Sequence, residues 1–230
     1  MTLKLQNGNF CNSPKNVTIT GTVYGQNNHI EVGDSEIDSQ LSLVIFGNNN
    51  TIKIGNVIGV KNSHIRIGVR ESTLANNCNI QIGNNFSSEL DFRILIYNHS
   101  SNLKIGDDCM ISNTVTIRLG ERPHLIFDNI TGEYLDLEGN VNIGNKVWVG
   151  EGCYITKKVS ISDGSIVGAN SVVTRKFDKN NVVIAGNPAK IVKENVKWER
   201  NKAKLLDYPE DSKYKISYNQ YEEKHKYEEK

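Results

Sequence analysis

Five histidines give this chain an imidazole to work with: His29, His64, His99, His124 and His225. With an ordinary pKa of roughly 6.5, an imidazole can take a proton from a weakly acidic hydroxyl near neutral pH. His124 stands apart because it lies in Glu121–Gly144, ERPHLIFDNITGEYLDLEGNVNIG, where an otherwise repetitive chain stops repeating. Glu121, three residues upstream, is the nearest carboxylate. It could orient the ring by accepting from the second nitrogen, or it could be a solvated charge paired with Arg122. His99, in YNHSSN, is the competitor, and its polar turn ahead of a strand suits ordinary hydrogen bonding. His29 and His64 precede strands of the irregular half, and His225 sits in a charged tail. A lone histidine in a loop is ordinarily a surface residue, so spacing alone assigns no role. The cysteines, Cys11, Cys78, Cys109 and Cys153, are far apart and show no CxxC pair, so they signal neither a zinc site nor a dithiol and read as small buried hydrophobes. No metal is expected.

The elements that must position such a residue are short strands. Six tetrads share the form aliphatic, polar, aliphatic, Gly: IEVG (30–33), IKIG (52–55), IRIG (65–68), IQIG (80–83), LKIG (103–106) and VNIG (141–144). From residue 143 the period is strict, with Ile143, Val149, Ile155, Ile161, Val167 and Val173 six apart. Four residues after these aliphatics come Val147, Cys153, Val159, Ser165 and Ser171, all small or β-branched. A helix would need apolar residues at i, i+3, i+4 and i+7, which this series lacks. A period of six predicts a parallel β-helix, each hexad forming one side of a three-sided coil of about 18 residues per turn. Coils of this kind wind left-handed. The alternative, a two-sheet β-sandwich, rarely keeps a six-residue register.

The predicted fold is therefore all-β, a left-handed parallel β-helix over residues 1–192. Its rungs are irregular over 1–100, and an excursion loop covers 119–140. Residues 193–230 would form a short C-terminal helical cap, helical near 194–206, and a tail, because an open coil end exposes unpaired strand edges. The 230 residues carry 27 basic against 26 acidic side chains, a balance that argues against a nucleic-acid partner. The sequence shows no run of 18 apolar residues and no cleavage signal, so a soluble, cytoplasmic protein without membrane insertion is expected.

The segments IGNKVWVGEGCYI (143–155), SIVGANSVVTRKF (165–177) and VVIAGNPAKIVKENVKW (182–198) resemble the hexapeptide-repeat acyltransferases. Similar segments occur in maltose and galactoside acetyltransferases, and KIVKENVKW looks most like bacterial capsular polysialic acid O-acetyltransferases. The resemblance implies a homotrimer with acetyl-CoA as co-substrate in the groove between neighbouring coils and a carbohydrate acceptor. It makes His124 the general base, in a loop flanked by Thr116-Ile117-Arg118 and Asn145-Lys146-Val147-Trp148. It implies that Trp148 walls the thioester end of the cofactor and that Gly168 and Ala169 bring backbone to the pantetheine arm. It gives Thr174, Arg175, Lys176, Lys190 and Lys193 to the adenosine phosphates. Each also has a plain reading as packing, turn or solvated charge. Relatives usually have an Asp shortly before the histidine and often a Pro after it; here Pro123 precedes His124.

The function implied is O-acetylation of a sugar hydroxyl in a bacterial capsule or other surface glycan such as (poly)sialic acid. An N-acetyltransferase acting on an amino sugar nucleotide would often carry a separate nucleotide-binding domain, and residues 1–80 contain no GxGxxG after a strand. A γ-class carbonic anhydrase would need zinc-binding histidines, and no HxxxxH spacing occurs. A non-catalytic solenoid binder would have no reason to bind coenzyme A.

Overall fold

The computed structural model describes residues 5, 7–137 and 139–200. Its strands stack into three seven-stranded sheets that form the sides of a coil. Face A holds Phe10–Asn12, His29–Val32, Thr51–Ile54, Asn79–Ile82, Asn102–Ile105, Asn140–Ile143 and Ser160–Ile161. Face B holds Val17–Tyr24, Ser39–Phe46, Ser63–Ile67, Arg93–Ile96, Thr116–Leu119, Tyr154–Ile155 and Val172–Val173. Face C holds Val57–Val60, Phe86–Ser88, Met110–Ile111, Trp148–Val149, Ile166–Val167, Val183–Gly186 and, antiparallel at its edge, Ala189–Lys193. From Thr51–Ile54 to Val172–Val173 the strands visit A, C and B in turn, so the strict hexads land on successive faces.

The aliphatics stack in register inside the coil. On face A, Ile30, Ile52, Ile80, Leu103 and Val141 are aligned neighbours, and all are buried. On face B, Leu43, Ile65, Ile94, Ile117, Ile155 and Val173 do the same. Truncating one such residue to Ala costs about 2–5 kcal/mol, because the rungs above and below cannot collapse into the gap. Cys78, Cys109 and Cys153 are buried and Cys11 is half-buried. Burial pushes the Cys78 thiol up to about 11.

The corners explain why the first half looks irregular. Five of the six tetrads stack on face A, and IRIG belongs to face B. At the A-to-C corner each Oδ1 accepts the backbone N–H one turn earlier: Asn56 from Asp34, Asn84 from Asn56, Asp107 from Asn84, Asn145 from Asp107 and Asp163 from Asn145. These steps span 22, 28, 23, 38 and 18 residues. The turn length varies while the ladder stays intact, so the irregularity lives in corner insertions rather than in the rungs. Asn85, Asp108, Lys146 and Asn181 hold positive φ at the neighbouring positions. Asn and Asp tolerate that conformation better than most residues, which accounts for the asparagine-rich corners.

The expected excursion is present between strands ending at Leu119 and beginning at Asn140. The expected cap differs. Among the described residues, the compact structure ends at Lys197. Its end is closed by the strand Ala189–Lys193 folding back antiparallel on Val183–Gly186, which satisfies part of the exposed edge. Residues 194–200 carry no helix. Instead Glu194 pairs with Lys179 at 2.5 Å, and the Val196 N–H donates to Asn181 O at 2.9 Å. The remainder of the predicted helix and tail, 201–230, lies outside the described residues. Among the described residues no helix is long and apolar enough to cross a membrane.

Candidate active site

The loop that carries His124 leaves face B at a forced position. Gly120 has φ +99°, and a Cβ there would lie 2.4 Å from the Asn98 side chain, so only glycine fits. The Glu121 N–H donates to Asp136 Oδ2 at 2.7 Å. The Arg118 Nε–H donates to Gly120 O at 3.1 Å, its guanidinium stands over the Tyr97 ring at 5.1 Å, and its Nη2 pairs with Glu121 Oε2 at 2.8 Å. This corrects both roles anticipated for Glu121. Its carboxylate is held by Arg118, which projects from the outer side of the preceding strand, rather than by Arg122 or the imidazole. Arg122 instead donates to Leu74 O at 3.4 Å. Glu121 meets His124 through the main chain, accepting the His124 N–H at 3.1 Å, and the His124 side chain is exposed.

Beyond His124 the loop is a small hairpin. The Asp128 carboxylate accepts the N–H groups of Ile130 and Thr131 at 2.8 and 2.7 Å, which hold its pKa below the usual carboxylate value. The Leu135 N–H donates to Ile126 O at 2.8 Å, and the Phe127 and Tyr134 rings lie 5.5 Å apart. The outer side is apolar: Leu125, Ile130 and Leu137 are 62%, 94% and 59% exposed.

The other anticipated residues lie elsewhere on the coil. Trp148 is half-buried on face C, and its Nε1–H donates to Ser112 Oγ at 3.2 Å. Gly168 and Ala169 follow Ile166–Val167 at the C-to-B corner, where a Cβ on Gly168 would come within 3.1 Å of Ala185 Cβ. Lys190 and Lys193 are exposed on the closing strand of the same face. Thr174, Arg175 and Lys176 follow Val172–Val173, and the Arg175 guanidinium stacks over Phe177 at 5.2 Å. The structure thus brings Trp148, Gly168, Ala169, Lys190 and Lys193 to one face and its downstream corner. The His124 loop leaves from the B-to-A corner. Only Thr174, Arg175 and Lys176 share that corner, two stacked strands farther along face B.

Three residues that sequence reasoning missed hold the loop: Asn98, Asp136 and Lys157. The Asp136 side chain is fully buried and pairs with Lys157. The Asn98 Nδ2 donates to Asp136 O and Leu137 O at 2.8 and 3.1 Å. The available signal was indirect: a loop that interrupts a coil must be fastened at both ends, and YLDLEG offers one carboxylate flanked by leucines.

The stacked coil, its single long excursion in the C-terminal half and near-full-length sequence likeness place this chain among the hexapeptide-repeat acetyltransferases, and its coil is left-handed like theirs. No family model matches it. The chain is 32% identical over 191 residues to the polysialic acid O-acetyltransferase of Neisseria meningitidis, covering 76% of this chain and 87% of that protein. It is 35% identical over 118 residues to the galactoside O-acetyltransferase of Escherichia coli strain K12, covering 50% of this chain and 54% of that protein. Thus it spans about half the length of the galactoside enzyme. A crystallographically solved polysialic acid O-acetyltransferase, OatWY, superposes with a TM-score of 0.70 at 28% identity, over 91% of this chain and 97% of that one.

Proposed function

We propose that the protein transfers the acetyl group of acetyl-CoA to a hydroxyl of a sugar in a bacterial surface glycan, of which (poly)sialic acid is the leading acceptor. The observation that carries this reading is the likeness to the meningococcal polysialic acid O-acetyltransferase across 87% of that protein's length. The donor supplies an activated acetyl thioester. His124 takes the proton of the acceptor hydroxyl as that oxygen attacks the thioester carbonyl. The new C–O bond forms, the C–S bond breaks, and the proton passes to the departing thiolate.

The layout supports a site shared between copies. In one chain the imidazole and most residues assigned to the donor sit at different corners of the prism. A homotrimer would set the His124 corner of one protomer beside face C of the next, and the apolar hairpin around Ile130 supplies surface for that contact. Trp148 then walls the thioester end. Gly168 and Ala169 leave room for the pantetheine arm. Thr174, Arg175, Lys176, Lys190 and Lys193 hold the phosphates, which suit cations. The Gly168 position bears on the fit: a Cβ there would come within 3.1 Å of Ala185 Cβ, so the corner is kept narrow by the absence of a side chain at 168. The donor, an intracellular metabolite, places the reaction in the cytoplasm.

Purified protein, acetyl-CoA and a panel of sialylated and neutral glycans, read by mass spectrometry, test this directly. The expected result is one or more added acetyl groups on sialylated acceptors, removable by hydroxylamine as esters are. A hydroxylamine-resistant product would establish N-acetylation instead, and no transfer to any glycan would reject the reading.

A further inference from the structure

The contacts around Asp136 go beyond what a loop needs to be tied down at one point. Its carboxylate is 0% exposed and Lys157 is 20% exposed, so both charges are largely out of water. A buried carboxylate is costly unless paired and hydrogen-bonded. Asp136 meets that requirement by joining three parts of the molecule. One oxygen accepts the N–H of Glu121, at the start of the loop and three residues before His124. The other accepts from the Lys157 ammonium, one turn farther along the coil. Its own carbonyl accepts from Asn98, one turn earlier. The surroundings are shaped to match. A Cβ on Gly139 would lie 2.7 Å from Lys157 Cβ, so glycine there lets the lysine stem pass beneath the returning chain. The wedge of Asn98 against Gly120 fixes the other end.

These contacts cross-link the two ends of the hairpin to each other and to the turns before and after it. The hairpin beyond them is closed on itself through Asp128, Phe127 and Tyr134. Without the cross-link it would pivot about residues 120 and 137, carrying His124 with it. We propose that Asp136 and Lys157 are positioning residues: a buried latch that sets the placement of the His124 imidazole without touching substrate. The proposal rests on the acetyl-transfer reading for its kinetic consequence, because a displacement of about 1 Å at a reacting group can cost on the order of a hundredfold in rate. Its structural consequence is independent of that reading. Burial draws the Lys157 pKa below its ordinary value, with the charge of Glu121 opposing the shift and that of Lys158 adding to it, as suits an ammonium drawn partly out of water.

The test compares the full chain with Asp136→Asn, Lys157→Met and Lys157→Arg. Hydrogen–deuterium exchange should quicken for peptides covering residues 122–135 in Asp136→Asn and Lys157→Met, and stay unchanged for peptides within 140–176. In acetyl transfer those two variants should lose about tenfold or more in kcat with the acetyl-CoA KM held within about twofold. Lys157→Arg, which keeps the charge, should restore both loop protection and kcat. Should Asp136→Asn fail to fold, the Met and Arg pair at Lys157 carries the comparison alone. Unchanged exchange over 122–135 in Lys157→Met would overturn the latch whatever the enzyme does. Faster exchange throughout the coil would also overturn it, by making the pair a general stabiliser. Should no acetyl transfer be found in the unmodified protein, the functional reading fails and the exchange arm still decides the latch.

Discussion

Two histidines leave the coil at the same corner, one turn apart, and meet different fates. His99 follows the face-B strand Arg93–Ile96, and His124 follows the next strand stacked on it, Thr116–Leu119. The His99 corner is short, and its imidazole completes a ladder. Gln26 donates its N–H to Asn48 Oδ1, Asn48 to Asn76 Oδ1 and Asn76 to His99 Nδ1, at 3.0, 2.8 and 3.0 Å. Nδ1 therefore acts as an acceptor, which requires the neutral ring with its proton on Nε2. At the His124 corner the chain leaves the ladder altogether. The ring is exposed, and His124 is tied to the loop through its main-chain bond to Glu121. A regular coil turns corner side chains into backbone hydrogen-bond partners. On the proposed reading, a long excursion would spare an imidazole for chemistry, and the latch at Asp136 would keep that imidazole placed.

The largest break in this comparison should come from His124→Ala. Turnover is expected to fall by about a hundredfold or more, with coenzyme A affinity and assembly retained. His99→Gln, whose amide oxygen can still accept from Asn76, should change turnover by no more than about twofold. Equal losses at the two positions, measured as kcat on a sialylated acceptor, would erase the distinction drawn between them. A smaller effect is expected on face C. Lys190→Ala removes an exposed ammonium from the closing strand and should raise the acetyl-CoA KM by about tenfold, the cost of one charge-assisted hydrogen bond, with kcat little changed. Titrating initial rates against acetyl-CoA decides it, and an unaltered KM removes Lys190 from the donor groove.

Much of this was legible in the sequence because the coil is written one rung at a time. Ile143, Val149, Ile155, Ile161, Val167 and Val173 all point inward where the period put them. The break around His124 was legible because it suspends that period. The stacking of the first half was harder to read. Tetrad spacing mixed two faces at IRIG, and the intervening insertions of Asn, Ser and Gly hid a constant register. A helix near 194–206 is expected from the sequence because the charged residues after Val192 suit either state locally; over 194–200 the chain is instead held by Glu194–Lys179 and the Val196 N–H to Asn181 O, with no helix. The partner of Glu121 is local, Arg118 three residues earlier, but either neighbouring arginine could have filled that role; the Asp136 latch depends on residues distant in the chain, Lys157 and Asn98. Nothing local in YLDLEG distinguishes a buried carboxylate from a solvated one.

The smallest predicted effect concerns stability rather than rate, and it sharpens the contrast between the two corners. Although His99 is exposed at the surface, partial desolvation of its ring, reinforced by the positive charge of Arg122, draws its pKa below the ordinary value. Between that lowered value and the unfolded value of roughly 6.5, the unfolded chain binds more protons than the folded one, so stability rises with pH. The contribution is complete above about pH 6.5 and is lost as the pH falls through the folded-state value, because a protonated ring can no longer accept from Asn76. His99→Gln keeps the acceptor and has no proton to gain. Thermal midpoints of the unmodified protein and His99→Gln, followed from pH 8 down to pH 5, should therefore run parallel above neutrality and separate in acid, the unmodified protein falling faster. A difference between the two that stays constant over this range would show that His99 is not held neutral by the ladder, and that the corner does not consume its imidazole.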